Sequence, residues 1–260
     1  MDISGKVAVV TGSGSAAGIG RSTALELARC GARGVVVNYS REESRPKALA
    51  VAKEIEEAGS EALVIRADVS DDHACRSMMA AANETFGRLD ILVNNAAATV
   101  RVRFEDLEGV TEEVWGLNLG VNLKGPFYCV RAARPLMEEA GDGVVVNISS
   151  IAGIRAVGSS SLAYGAAKAG VINMTMFLAR ALAPMVRVNC VTAGFVRGQW
   201  MEESLGEERY ERALTRTSER IPRGRVADPD DVAHAILSLV TSDFITGHNL
   251  ICDGGFLIRD

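Results

Sequence analysis

Short apolar runs alternate along the chain with longer segments of helical period. The runs are VAVV (Val7 to Val10), VVV (Val35 to Val37), ALVI (Ala62 to Ile65), ILV (Ile91 to Val93), VVVNI (Val144 to Ile148), VRVNCV (Val186 to Val191) and NLIC (Asn249 to Cys252). Between them lie STALELARCGA, RPKALAVAKEIEEAG and DHACRSMMAAANETFG, whose apolar residues recur every three or four positions before a glycine or polar turn. Strands that are β-branched and apolar on both faces, separated by helices, predict a parallel sheet covered on each side. The expected architecture is α/β, one doubly wound domain of about seven strands spanning residues 1–260. The least regular stretch, Phe195 to Pro222, is rich in Glu and Arg, with Trp200, Met201 and Tyr210 as its large contacts, and is expected to form a helical flap over the substrate.

Composition narrows the function classes. The chain is 48% hydrophobic and 23% charged with a formal charge of -5, which disfavours disorder and a nucleic-acid partner. Five scattered cysteines without a C-x-x-C fit reduced thiols, and His73, His234 and His248 stand apart, so no metal site is expected. No leader or membrane-spanning run is read from the sequence, and a cytoplasmic location is expected.

The stretch TGSGSAAGIG, Thr11 to Gly20, follows the first apolar run and strips side chains from a strand-to-helix turn. Such turns at the carboxyl end of a parallel sheet hold pyrophosphates on helix N–H groups. Its glycines do not fall in the G-x-G-x-x-G register. Downstream, Tyr164 and Lys168 lie four residues apart in an apolar helical stretch, Leu162 to Leu182, which places both on one helix face. Four tyrosines and five lysines in 260 residues would give that spacing by chance roughly 0.08 times. A lysine ammonium beside the tyrosine is expected to draw the phenol's pKa down from about 10 toward neutrality, which suits the transfer of a proton to a developing alkoxide.

These features, with RADVSD at Asp68, NNAA from Asn94 to Ala97, VNLKG at Asn122, NISS from Asn147 to Ser150, YGAAK from Tyr164 to Lys168 and DGG from Asp253 to Gly255, resemble the short-chain dehydrogenase/reductase family over nearly the whole chain. The resemblance implies a Rossmann-like fold and an NAD(P)(H)-dependent oxidoreductase. It implies Tyr164 as acid or base, Lys168 as its electrostatic partner, Ser150 (with Ser149 the alternative) as holder of the substrate oxygen, and Asn122 as anchor of a proton-relay water. Gly12, Ser13, Gly18, Ile19, Gly20, Asp68, Val69, Asn95, Ala96, Ala97, Ala193, Gly194 and Val196 would contact the cofactor, together with Tyr164 and Lys168.

The chain departs from the family pattern in several places. Its glycine loop carries two extra residues, which are expected to bulge outward with Gly12 at the strand end; the other register starts at Gly14. Ala97 and Ala193 replace a glycine and a proline, and Gly198 stands where a threonine is common. Asn38, Tyr39, Ser40 and Arg41 occupy the end of the second strand, where an NAD site would carry an acid, so NADP(H) is the expected cofactor and NAD(H) the alternative.

A small ketone or secondary alcohol is the expected substrate. Reduction of a 3-oxoacyl group on an acyl carrier protein ranks below it, because Glu138, Glu139 and Asp142 would repel an acidic carrier. A catalytically silent NADP(H) sensor is the alternative from another class. The apolar circumference of Leu162 to Leu182 points to a homo-oligomer, a tetramer by resemblance or else a dimer.

Overall fold

The computed structural model describes residues 1–157, 160–198, 202 and 206–259. The apolar runs become seven strands: β1 (Val7–Val10), β2 (Gly34–Tyr39), β3 (Glu61–Arg66), β4 (Ile91–Asn94), β5 (Gly143–Ser150), β6 (Val186–Ala193) and β7 (Asn249–Cys252). All pair in parallel, in the order β3-β2-β1-β4-β5-β6-β7. This is the expected doubly wound, Rossmann-like sheet. β1 and β7 match their apolar runs to the residue. The others run one or two residues further at an end, because buried polar residues such as Asn38, Ser149 and Thr192 continue the ladder past the last aliphatic side chain.

The helices are α1 (Ile19–Arg29), α2 (Arg45–Glu57), α3 (Asp72–Phe86), α4 (Glu112–Leu119), α5 (Gly125–Ala140), α6 (Leu162–Leu182), α7 (Glu207–Ser218) and α8 (Pro229–Thr241). Successive strand residues point to opposite faces, so one run supplies two cores. Ala8, Val10, Val35, Val37, Val144 and Val146 pack under α1, α2 and α8 with Leu25, Val51 and Ile236. Val7, Val9, Val36, Leu92 and Val145 pack under α3, α5 and α6 with Met78, Cys129 and Leu182. Cys75, Cys129 and Cys190 are buried, and Cys30 is exposed.

One expectation fails here. By length and hydropathy α6 would qualify as a membrane span. Its buried side, which includes Ala167, Lys168, Val171 and Thr175, faces β5 and β6, so the sheet rather than lipid accounts for that apolarity. Met176 and Phe177 on the same helix stay exposed.

The irregular stretch contains α7. Tyr210 and Leu214 form a small separate core with Ile221 and Val226, against Phe195 and Phe256. The Tyr210 hydroxyl accepts the N–H of Gly198 at 3.0 Å, tying α7 to the chain that leaves β6. Trp200 and Met201 lie outside the described residues.

Candidate active site

β1 and β4 are neighbours whose connections leave in opposite directions, so a crevice opens beyond their carboxyl ends. The glycine turn sits in it. Thr11 Oγ1 accepts the N–H groups of Asn95 and Ala96, both at 3.0 Å, and Asn95 Nδ2 donates to the carbonyls of Thr11 at 2.9 Å and Gly12 at 3.2 Å. These bonds lock the two strand ends together.

Gly12 has φ +64°, and a Cβ there would sit 2.8 Å from Cα of Ala96. A Cβ on Gly20 would come within 2.5 Å of Asn95 Nδ2. Only glycine lets α1 start this close to the turn. β1 ends at Val10, with Gly12 just beyond it, and the added length projects outward, since Ala16 and Ala17 are exposed. Gly14, the other register, instead packs against Tyr39 and Ala48.

A cavity of about 560 Å³ fills the crevice. It is lined by Gly12, Gly18, Ile19, Gly20, Asn38, Ser40, Arg41, Asp68, Val69, Asn95, Ala96, Ala97, Ala193, Gly194 and Val196, as well as Ser149, Ser150, Tyr164 and Lys168. Two expected cofactor residues are absent from this lining. Ser13 is buried, its Oγ donating to Val10 O at 2.7 Å and accepting from the Asn38 N–H at 3.2 Å, and Tyr39 turns into the core under α2.

Asn38 also plays a different part from the one expected. Its Oδ1 accepts the Gly12 N–H at 2.9 Å and its Nδ2 donates to Ala67 O at 3.0 Å, so its amide shapes the turn rather than standing free for a ribose. Ser40 and Arg41 remain exposed at the cavity edge, and among the described residues Arg41 makes no ion pair.

The start of α1 is left open. Asp71, Thr111 and Ser161 cap α3, α4 and α6 with side-chain bonds, and α8 has a capping box. α1, whose N-cap is Gly18, has no side-chain cap, and neither do α2, α5 and α7; of these four, α1 is the one whose first residues, Ile19, Gly20 and Arg21, line the cavity. Bare glycine backbone at an uncapped helix start fits the pyrophosphate of a dinucleotide.

α6 carries the candidate pair, Tyr164 and Lys168. Ser161 Oγ accepts the Tyr164 N–H at 3.2 Å, which starts the helix so that Tyr164 and, one turn later, Lys168 face the cavity. Ser149 Oγ donates to Lys168 O at 2.8 Å and pins the helix to β5. Ser149 is thereby spent, which leaves the half-buried Ser150 hydroxyl beside Tyr164.

Electrostatics correct one expectation. Burial pushes the Tyr164 phenol up to about 12, opposed by its hydrogen bond with Ser150, whereas an acidified phenol was expected. Burial pulls Lys168 down to about 8. Its Nζ donates to Ile148 O at 2.8 Å and lies 5.7 Å from the centre of the Tyr164 ring, too far to offset desolvation.

Asn122 lies in a π-helical turn, Gly120–Lys124, between α4 and α5. Its Nδ2 donates to Ala98 O at 2.6 Å and Asn118 O at 3.0 Å, and its Oδ1 accepts the Ala98 N–H at 3.3 Å. The side chain does not line the cavity; it fastens the helix kink to the chain after β4.

Several lining residues carry no signal in the sequence. Leu117, Val121, Val157 and Phe195 add apolar lining to the cavity, and Ser160 a hydroxyl, brought together from four segments by tertiary folding alone. Arg21, in the first turn of α1, was legible in principle as a cation near a phosphate turn, but it is paired with Glu54.

Comparison with known proteins gives a consistent picture. A family model described as enoyl-(acyl carrier protein) reductase matches residues 12–257. The chain is 40% identical to the proposed ketoacyl reductase 2 of the granaticin polyketide synthase of Streptomyces violaceoruber, covering 96% of this chain and 95% of that one. It is 39% identical to the 3-oxoacyl-(acyl-carrier-protein) reductase FabG of Staphylococcus aureus, over 96% and 97% of the two chains. A crystal structure of a proposed short-chain dehydrogenase/reductase from Burkholderia xenovorans superposes with a TM-score of 0.88 at 32% identity, covering 97% of this chain and 98% of that one. Likeness that runs from end to end, in sequence and in backbone, leaves no room for a borrowed motif: the chain belongs to the classical short-chain dehydrogenase/reductase family of NAD(P)(H)-dependent oxidoreductases.

Proposed function

We propose that this chain is a single-domain, cytoplasmic, NADP(H)-dependent oxidoreductase that interconverts a small ketone and a secondary alcohol. The observation that carries the reading is the meeting of Tyr164, Lys168 and Ser150 on the wall of a cavity floored by bare glycine backbone. Gly12, Gly18 and the open start of α1 would hold the pyrophosphate, and Asp68 and Val69 would flank the adenine side. A bound nicotinamide supplies or accepts the hydride. Ser150 holds the substrate oxygen, and Tyr164 gives it a proton in reduction and takes one back in oxidation. Lys168 offsets charge as the phenolate forms. Ser40 and Arg41, which has no ion-pair partner among the described residues, support NADP(H), since a guanidinium welcomes a 2′-phosphate.

A second reading, reduction of a carrier-bound 3-oxoacyl group, gains support from the position of the acids that had argued against it. α5 begins at Gly125, where a Cβ would lie 2.9 Å from Val69, and ends just before Gly143 opens β5. Glu138, Glu139 and Asp142 therefore sit at the amino edge of the sheet, opposite the cavity. They do not face a docking carrier.

Phe127, Met176 and Phe177 on α5 and α6, and Phe244, Ile251 and Ile258 on and beside β7, are exposed apolar side chains on two sets of elements. Two separate contacts suit a homotetramer better than a dimer. The test of the cofactor and the reaction is a titration with NADPH and NADH, followed by consumption of the reduced cofactor over a ketone panel. NADPH should bind at least tenfold tighter and Arg41→Ala should erase the difference. An NADH preference would remove the cofactor assignment, and no turnover with any ketone or alcohol would remove the reaction.

A further inference from the structure

A second, smaller pocket of about 290 Å³ adjoins the cavity and shares Val157 with it. Its polar lining is basic: Arg155, after β5, Arg220, just beyond α7, and Arg259, near the chain end, meet there with Phe104 and Phe256. Arg155 Nη1 donates to Arg259 O at 3.4 Å, Arg259 donates to Glu219 O, and the Arg220 guanidinium lies 5.8 Å from the centre of the Phe256 ring. These are contacts with carbonyls and a ring. Among the described residues no carboxylate pairs with any of the three, although twelve other arginines do form such pairs. Asp253 is buried beside this turn, but its two oxygens are taken by the N–H groups of Gly255 at 2.7 Å and Leu257 at 2.9 Å.

Each guanidinium has five N–H donors in a planar fork, so most of the donors here find no partner among the described residues. Three such forks from separate segments, beside two aromatic rings, match an oxyanion carried on an apolar stem. We propose that this pocket binds the anionic end, a carboxylate or a phosphate, of a substrate whose carbonyl lies at Tyr164. The proposal rests on the redox reading above and deepens it. Substrates with a remote negative charge would be favoured over neutral ketones of the same length, and Val157 marks the passage between the reacting end and the anchored end.

The test uses calorimetric titration of the full chain with 2-naphthyl phosphate, 2-naphthoate and 2-naphthol, alongside turnover of a neutral keto ester and the matching keto acid. At least one anion should bind tenfold or more tighter than the naphthol, and which one does so identifies the anion. The same titration of Arg155→Gln/Arg220→Gln/Arg259→Gln should lose that tightening, and KM for the keto acid should rise tenfold while kcat holds. Arg220→Gln alone, an exposed change, should move both in the same direction. Equal binding of anions and naphthol, or anion binding unchanged in the triple variant, would overturn the proposal. Turnover of the keto ester with no advantage for the acid would sink the anion site and leave the redox reading standing. Anion binding that depends on the arginines, with no turnover of either ketone, would leave the site and remove the redox reading.

Discussion

The proposed role of Lys168 sets function against stability at a single residue. Its amine is buried and held near pKa 8, below the ordinary value of 10.5, so the fold carries the cost of a desolvated charge at neutral pH. Between about pH 8 and 10.5 the unfolded chain binds the proton that the native chain has lost, so this group's contribution makes stability rise with pH. Tyr164 works the other way above pH 10, where the unfolded phenol ionises before the buried one, up to about 12. In the proposed mechanism reduction needs the lysine charge, so the rate should fall as pH rises through about 8. Lys168→Met should therefore lose turnover and gain about 1 kcal/mol of unfolding free energy. Denaturant melts at neutral pH, with rates measured on the same samples, check both signs; a variant that is destabilised and still active would contradict them.

At the scale of elements, the decisive contact is the approach of α1 to the turn between β1 and β4. Gly20→Ala would drive a methyl to 2.5 Å from Asn95 Nδ2, and neither neighbour can retreat without breaking the bonds that join Asn95 to Thr11 and Gly12. The change should cost about 1–3 kcal/mol and weaken dinucleotide binding at least tenfold, as read by thermal melts with and without NADPH. Wild-type stability in Gly20→Ala would contradict that account. The strands and the α6 pair were legible because aliphatic runs and helical spacing are local properties. The part played by Asn38 was not, because its partners Gly12 and Ala67 lie on other segments and no local pattern distinguishes an amide that braces a turn from one that greets a ligand. The same holds for Asn122, whose amide is consumed by Ala98 across a loop. The raised phenol of Tyr164 escaped the sequence for a related reason. Spacing gives the proximity of a lysine, but burial sets the sign of the shift.

For the whole molecule, the exposed apolar side chains on those two sets of elements predict assembly, and a mass measurement in solution should give a tetramer that Phe177→Glu, altering a residue 70% exposed on α6, breaks into smaller species. A monomer of 27.6 kDa for the unmodified chain would contradict it. One sheet brings the glycine turn, Tyr164 and an arginine-lined annex along a single crevice, and the central claim of the proposed function is that the Tyr164 hydroxyl moves the proton there. The most direct measurement is the rate of NADPH consumption with a turned-over ketone by Tyr164→Phe, paired with the binding constant of that variant for NADPH. The account predicts a loss of about 10²–10⁴-fold in rate with cofactor affinity within a factor of about two. A variant that consumes NADPH at the wild-type rate would contradict it.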